Sequence, residues 1–356
     1  MNKIKIGNRI VNDNSPTYFI ADIASNHDGS LSKAKELIHM AAESGADAAK
    51  FQNFYASTLV SDFGFKNLKN LNSHQNKWKK SVYETYKENE ISLEWTSQLV
   101  KSCKKYKIDY FTAPYDKKII KYLNKYVRAW KIGSGDITWH ENILNMARTK
   151  KPILIATGAS NFNEVKNIYN KVIKINKQIC IMQCNTNYTG EDTNFKNINL
   201  SVLKLYKKKF PKAIIGLSDH THGNITVLGA ITLGARIIEK HFTDSNKNTG
   251  PDHKFSMNPK SWRYMIDAAR HLESSLGREE KKVESNEKNT IVLQRRSIRV
   301  KKEIKKGEIL KKNKFEFLRP CPSDAMQVYD FYKILNKKAP FKLKKYQYIK
   351  KSIFKK

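Results

Sequence analysis

The stretch Ile214 to Met257, IIGLSDHTHGNITVLGAITLGARIIEKHFTDSNKNTGPDHKFSM, contains one arrangement twice: a short apolar run that ends in a histidine. Ile214, Ile215 and Leu217 lead to Ser218-Asp219-His220, and Ile237 and Ile238 lead to Glu239-Lys240-His241. Both runs have the length and β-branched content of a buried strand, and Val227 to Leu233 between them reads as a helix stopped by Gly234. The outcome is a strand-helix-strand unit with a histidine at the same end of each strand. In barrels and open sheets of parallel strands, the carboxyl ends are where ligands bind. Two imidazoles at neighbouring strand ends can share one metal ion of borderline softness, such as zinc or manganese. Each is alternatively a hydrogen-bonded histidine in a loop, but the pairing, with Asp252 and His253 following, favours a joint site.

Working outward, the same unit repeats. Strands are expected at Thr17 to Ile23, Asp47 to Gln52, Asp109 to Ala113, Val127 to Gly133, Pro152 to Thr157, Ile179 to Cys184, Ala213 to Ser218 and Arg236 to His241. Helices fit between them at Leu31 to Ala42, Ser92 to Tyr106, Asp116 to Leu123, Asn142 to Ala147, Glu164 to Val172, Asn199 to Lys207 and Val227 to Leu233, with an eighth at Lys260 to Leu276. Asn161 with Glu164 gives one of them a capping-box start. This alternation matches the size of a closed (β/α)8 TIM barrel. An open doubly wound sheet is the alternative, but its glycine-rich loop after the first strand is missing. Residues Asn53 to Ile91 are too long for a plain connection and read as an insertion or active-site loop with its own short helix. The pattern places the barrel at 1–278, a polar linker at 279–290, and a compact strand-rich module at 291–356, with SIRVKKEI, FEFLRP and YQYIKKSIF as its strand-like stretches.

The formal charge is +34, and residues from Lys281 onward hold 24 basic and 7 acidic side chains, half of it. Such asymmetry suits a polyanion-binding tail. The lysines are instead scattered opposite apolar residues, as in Phe341 to Ile349, which is the pattern of a solvated strand face. No nucleic acid is expected as partner. No run of 18 apolar residues and no signal-peptide pattern occurs, so the expectation is a cytoplasmic protein without a membrane span. Cys103, Cys180, Cys184 and Cys321 lack metal-finger spacing and read as buried thiols.

The strand ends carry a consistent chemistry. They present Asp22, then Lys50 and Gln52, Thr112, then Lys131, Ser134 and Asp136, Asn187 and Tyr188, Ser218 and His220, and Glu239 and His241. Two lysines with serine, asparagine and glutamine groups suit a phosphate and a carboxylate; histidines and acids suit a cation and proton transfer. Gly133-Ser134-Gly135 after Lys131 is either a short anion-binding loop or an ordinary turn.

Together these motifs resemble the N-acetylneuraminate (sialic acid) synthase family. The resemblance is carried by IADIASNHDG at Ile20 to Gly29, GADAAKFQ at Gly45 to Gln52, WKIGSGDI at Trp130 to Ile137, ATG at Ala156 to Gly158, QCNTNY at Gln183 to Tyr188, LSDH at Leu217 to His220, IEKHFT at Ile238 to Thr243 and GPDH at Gly250 to His253. The end of the chain, with Arg295-Arg296-Ser297, Lys306-Gly307-Glu308 and Leu318-Arg319-Pro320, is similar to the small β-rich antifreeze-like (SAF, β-clip) domain of these enzymes. The resemblance implies condensation of phosphoenolpyruvate with an N-acetylated amino sugar such as an N-acetylmannosamine, giving a sialic-acid-like nonulosonate and phosphate. Legionaminic and pseudaminic acid relatives are included. It implies that His220 and His241 bind a divalent metal, most often manganese with magnesium or cobalt as alternatives. It places phosphoenolpyruvate on Lys50, Gln52, Lys131, Ser134 and Ser218, and the sugar near Tyr188 and Asp252. It further implies a domain-swapped homodimer in which Arg319 covers the neighbouring site.

Three features depart from the family pattern. Asp22 stands where a glutamate is usual, which sets the carboxylate back by roughly 1.5 Å. Ala113 and Ala156 replace a threonine and a serine, and Cys321 to Met326 replace a glycine-rich turn. Another phosphoenolpyruvate-dependent synthase of 3-deoxy-2-keto sugar acids and a basic nucleic-acid-binding barrel are the remaining alternatives.

Overall fold

The computed structural model describes residues 2–68, 75 and 78–354. The chain divides into two units, Met1–Gly277 and Arg278–Lys356.

The first unit opens with an antiparallel hairpin, β1 (Lys3–Ile6) and β2 (Arg9–Asn12). Eight parallel strands follow: β3 (Tyr18–Asp22), β4 (Ala48–Asn53), β5 (Asp109–Pro114), β6 (Trp130–Ile132), β7 (Ile153–Ala156), β8 (Ile179–Cys184), β9 (Ile214–Asp219) and β10 (Ile237–His241). They pair in chain order and β10 closes on β3, so the sheet is a barrel. Helices Leu31–Glu43, Trp95–Lys105, Lys117–Leu123, His140–Arg148, Phe162–Ile175, Val202–Lys209, Ile225–Thr232 and Pro259–Leu276 follow the strands. This is the TIM barrel that the alternation predicts. Element ends differ from the sequence expectation by a few residues, most at β6, which keeps only Trp130 to Ile132 as strand. The capping box at Asn161 and Glu164 forms as expected.

Alternation along each strand sorts the core into two layers. Phe19, Phe51, Ile153, Ile155, Leu217 and Ile238 pack outward against the helices, with Leu37, Ile143, Val165 and Trp262 among their neighbours. Tyr18, Ile20, Phe111, Leu154, Met182, Ile214 and Ile237 fill the inside at the amino ends of the strands. Ile4, Ile6 and Val11 of the hairpin join that inner cluster and cap it from below. The sequence reading missed this hairpin, although Ile4 and Ile6 alternate with lysines around Gly7. Gly7 turns the chain at φ +56, and a Cβ there would sit 2.8 Å from Asp109 Oδ1. Burying each of these aliphatic side chains contributes about 1.5–3 kcal/mol.

The connection after β4 holds more structure than the single short helix expected. Its described residues form three: Ala56–Leu59, Asp62–Asn67 and Val82–Glu88. The last starts at a capping box of Ser81 and Glu84. Residues 69–74, 76 and 77 of that stretch lie outside the described residues.

In the second unit β11 (Ser297–Val300) pairs antiparallel with β12 (Phe315–Leu318). The stretch YQYIKKSIF forms isolated bridges rather than a third strand, Arg299 with Tyr348 and Ala325 with Lys350. Ile298, Val300, Ile304, Leu310, Ile334, Leu343 and Ile349 form its core. The expected linker 279–290 is not plain coil: it holds a turn of 3-10 helix at Ser285–Glu287 and the start of helix Lys288–Gln294, with no buried residue in either. Lysines of this unit such as Lys301, Lys305, Lys342 and Lys344 are exposed while Ile304 and Leu343 between them are buried. All four cysteines are free and buried. Among the described residues no helix is long and apolar enough to cross a membrane.

Candidate active site

Strand register assembles the site. Asp22 pairs in the ladder with Lys50 on one side and His241 on the other, and Glu239 pairs with Ser218. These residues occupy the inward parity at the carboxyl ends, two positions beyond the apolar layer. Lys50 Nζ donates to Asp22 Oδ2 and stands 3.6 Å from Glu239 Oε1. Lys131 reaches across from β6 to the same Glu239 oxygen at 3.0 Å, where Ser218 Oγ also donates at 3.0 Å. His241 Nε2 lies 3.5 Å from Asp22 Oδ2. The shorter carboxylate of Asp22 thus accepts from Lys50 and lies within 3.5 Å of His241. Asp22, Lys50, Lys131, Ser218, Glu239 and His241 are all buried.

Burial sets the charge states. Removal from water would raise Glu239, but the ammonium groups of Lys131 and Lys50 hold it down at about 2. Burial would lower Lys50; Asp22 and Glu239 outweigh this and raise it. Lys50 and Glu239 thus sit charged side by side. His220 goes the other way, lowered to about 3 by burial first and by His241 next to it. Its imidazole is neutral at ordinary pH. Because His220 Nδ1 meets the carbonyl oxygen of Asn185 at 2.8 Å, that nitrogen carries the proton and Nε2 keeps its lone pair.

His220 and His241 lie with ring centroids 5.2 Å apart, and Phe255 and Tyr188 pack edgewise against both rings. His241 Nδ1 is buried without a protein hydrogen-bond partner, and so is Glu239 Oε2. Among the described residues no group of three or more His, Cys, Asp or Glu side chains is arranged to hold a metal ion. The neutral His220 imidazole and His241 with its orphaned Nδ1, beside the Asp22 carboxylate, fit a divalent cation that keeps positions open for water or substrate, rather than a closed structural site.

Above this cluster lies a cavity of about 300 Å³. Gln52, Ser134, Asp136, Tyr188, His241 and Asp252 border it, so six of the residues expected at the rim do meet there. Ser134 Oγ accepts from the backbone of Gly158, and Asp252 accepts from the backbone of Ser25, which ties the loop after β10 to the loop after β3. Asp136 is pushed up to about 6 by burial.

Two expected site residues are placed elsewhere. Thr112 has the outward parity of β5, and its hydroxyl donates to Phe51 O and Asn53 Oδ1 in the wall; the inward neighbours are Phe111 and Ala113. Asn187 is exposed and accepts from Thr189 N and Asn194 Nδ2 within its own loop. Arg319 is an exposed residue of the second unit. Conversely, Asn185, Tyr115, Tyr86 and Phe255 belong to the site and were not singled out from the sequence. Asn185 lies in the same QCNTNY motif as Asn187; the three aromatics have no local signal.

The NeuB family model matches residues 37–281. N,N'-diacetyllegionaminic acid synthase of Campylobacter jejuni is 34% identical over 309 residues, covering 86% of this chain and 91% of that protein. Human N-acetylneuraminate-9-phosphate synthase is 32% identical over 274 residues, covering 76% and 74%. Among solved structures, the N-acetylneuraminic acid synthetase of Leptospira borgpetersenii aligns with a TM-score of 0.68 at 25% identity, over 82% of this chain and 95% of that one. The chain belongs to the NeuB family of sialic, legionaminic and pseudaminic acid synthases, transferases that condense phosphoenolpyruvate with amino sugars.

Proposed function

We propose that the barrel mouth joins phosphoenolpyruvate to an open-chain N-acetylmannosamine-type amino sugar, with the help of a divalent metal, and releases a nonulosonate and inorganic phosphate. The observation that carries this reading is the convergence of Lys50 and Lys131, from strands two apart, on Glu239 beside a pair of close imidazoles. Two fixed ammonium groups suit the phosphate and carboxylate of phosphoenolpyruvate, and Ser218, Gln52 and Ser134 add neutral donors. The methylene carbon of the enol forms a bond to the aldehyde carbon of the sugar, and the aldehyde oxygen takes up a proton to become a hydroxyl. Water adds at C2 and gives up a proton; the new C2 hydroxyl then becomes the ketone as the bond from C2 to the phosphate oxygen breaks, and its proton leaves with the phosphate. Asp136, whose carboxyl sits near 6, is able to take and return protons at neutral pH. Asp22 and Glu239 keep the lysines in place and face the positive charge that develops at C2.

His220 and His241 would hold the metal, most often manganese with magnesium or cobalt as alternatives, and it would supply polarisation of the aldehyde oxygen. In this reading the enzyme works in the cytoplasm. The second unit is a SAF-like module that brings Arg319 to the site of a partner subunit in a domain-swapped homodimer.

The test is phosphate release from phosphoenolpyruvate with manganese and a panel of amino sugars. Absence of release with every sugar overturns the reading. His220→Ala and His241→Ala should each lower release by at least about 1000-fold and abolish manganese binding measured by calorimetry, with the thermal unfolding midpoint kept. Retained manganese binding in both variants removes the ligand assignment.

A further inference from the structure

The barrel closes where its last strand meets its first. The backbone bonds of that joint end with Phe242 N donating to Asp22 O and Thr243 N donating to Met257 O. Beyond them the loop after β10 lies against the loop after β3, and side chains take over the joint. Asn26 Nδ2 donates to Phe242 O at 2.8 Å and to Ser256 Oγ at 2.9 Å. Ser256 Oγ donates to Asp252 O at 2.6 Å, and the Ser25 amide donates to the Asp252 carboxylate at 3.0 Å.

His253 is fully buried in this joint and uses both ring nitrogens. Nδ1 meets Thr243 Oγ1 at 2.6 Å, which closes the loop after β10 on itself. Nε2 meets Asp28 Oδ1 at 3.0 Å, in the other loop. A carboxylate only accepts, so Nε2 carries the proton of that bond. Asp28 sits at φ +48, a left-handed backbone that costs a residue with a side chain about 1–2 kcal/mol, and Lys33 Nζ grips its other oxygen at 2.5 Å. Gly250 lies against the ring, where a Cβ would come within 2.8 Å of His253 Cδ2. The ring is thus fixed from three sides. Asp252, one residue earlier, borders the cavity beside Ser25 and His241, whereas His253 is not part of that lining.

Resting on the condensation proposed above, we infer that His253 is a positioning residue: by bridging Thr243 and Asp28 it locks the last loop of the barrel to the first and so sets the Asp252 carboxylate beside His241. It touches no reacting atom. The arm to Asp28 is the one that matters, because the arm to Thr243 stays within a single loop. Lys50 and Lys131 stand on β4 and β6, away from this joint. Loss of the lock therefore falls on the amino sugar and on kcat, and spares the KM for phosphoenolpyruvate. A group misplaced by about 1 Å costs up to about 100-fold in rate.

Amide side chains separate the two arms. His253→Asn puts an amide where Nδ1 was and keeps the Thr243 arm; His253→Gln puts one where Nε2 was and keeps the Asp28 arm. With the full chain, manganese, and whichever of N-acetylmannosamine and 2,4-diacetamido-2,4,6-trideoxymannose the unaltered enzyme uses faster, His253→Asn should lower kcat/KM for the sugar about 10- to 100-fold. The KM for phosphoenolpyruvate should stay within about threefold, and His253→Gln should restore most of the loss. Asp28→Gly removes the other end of the bond and suits the left-handed backbone, so it serves where His253→Asn does not fold. It should reproduce the loss, Asp28→Asn should not, and the double variant His253→Asn with Asp28→Gly should be no worse than the poorer single one. A substrate-free readout is hydrogen exchange of the Ser25 amide, which should quicken about 10-fold or more in His253→Asn and in Asp28→Gly. Equal activities of folded His253→Asn and His253→Gln overturn the inference, as do losses that multiply in the double variant or an unaltered Ser25 exchange rate. Absence of release by the unaltered enzyme with either sugar removes the condensation reading instead, and the exchange rate then decides whether the lock exists.

Discussion

Two neighbouring residues of β10 hold two buried ion pairs that face opposite ways. Glu239 points to the barrel axis, where it meets Lys131, Lys50 and Ser218. Lys240 points to the helices, where it holds Asp219 and the carbonyl of Thr221. In the outward group Asp219 also accepts from Thr221 and from Thr226 at the start of the following helix. Its carboxyl, which burial would raise, is kept low by Lys240 and these hydroxyls. In the inward group Glu239 Oε2 and the nearby His241 Nδ1 have no protein partner. A buried polar group that the chain satisfies fully serves the fold; one left incomplete on an axis open to ligands serves chemistry.

The largest effect that would sharpen this contrast is in the outward pair. Lys240→Met leaves Asp219 without its cation inside the wall and should cost about 3–5 kcal/mol in urea unfolding. Adding Asp219→Leu should recover most of the loss. A single substitution that costs less than about 1 kcal/mol would break the comparison. Next comes Glu239→Gln, which keeps an oxygen for Lys131 and Ser218 but removes the charge. Phosphate release should fall roughly 100- to 1000-fold, with less than half the stability loss of Lys240→Met. Equal stability losses would make both pairs structural. The smallest effect concerns Asp136, which burial holds at about 6. It is ionised above that pH and protonated below it, so kcat/KM for phosphoenolpyruvate should drop about tenfold per pH unit on the acid side. Asp136→Asn should lower the rate about tenfold at pH 7.5 and flatten that acid limb; an unaltered limb assigns it to another group.

The same contrast explains what could be read from the chain alone. Strand interiors obey a period of two and barrel ligands gather at carboxyl ends, so Asp22, Lys50, Gln52, Lys131, Ser218, Glu239 and His241 could be placed together without coordinates. Thr112 failed by one position, because the bounds of a short apolar run do not say which parity faces in. Asn187 failed because a loop has no period at all, and its neighbour Asn185, two residues earlier, supplies the carbonyl that orients His220. The aromatic wall was invisible for a related reason. Phe54, Tyr86 and Tyr115 meet only through the closure of the barrel and the path of the insertion, and nothing in their local sequence distinguishes them from ordinary core residues.

The hairpin of β1 and β2 makes the barrel a cul-de-sac. Among the described residues, Ile4, Ile6 and Val11 pack beneath Tyr18, Phe111 and Met182 and fill the amino end. Traffic to Lys50 and Lys131 passes Tyr86 and Tyr188 in both directions. The floor beneath the lysines is laid by ten residues at the opposite end from the chemistry.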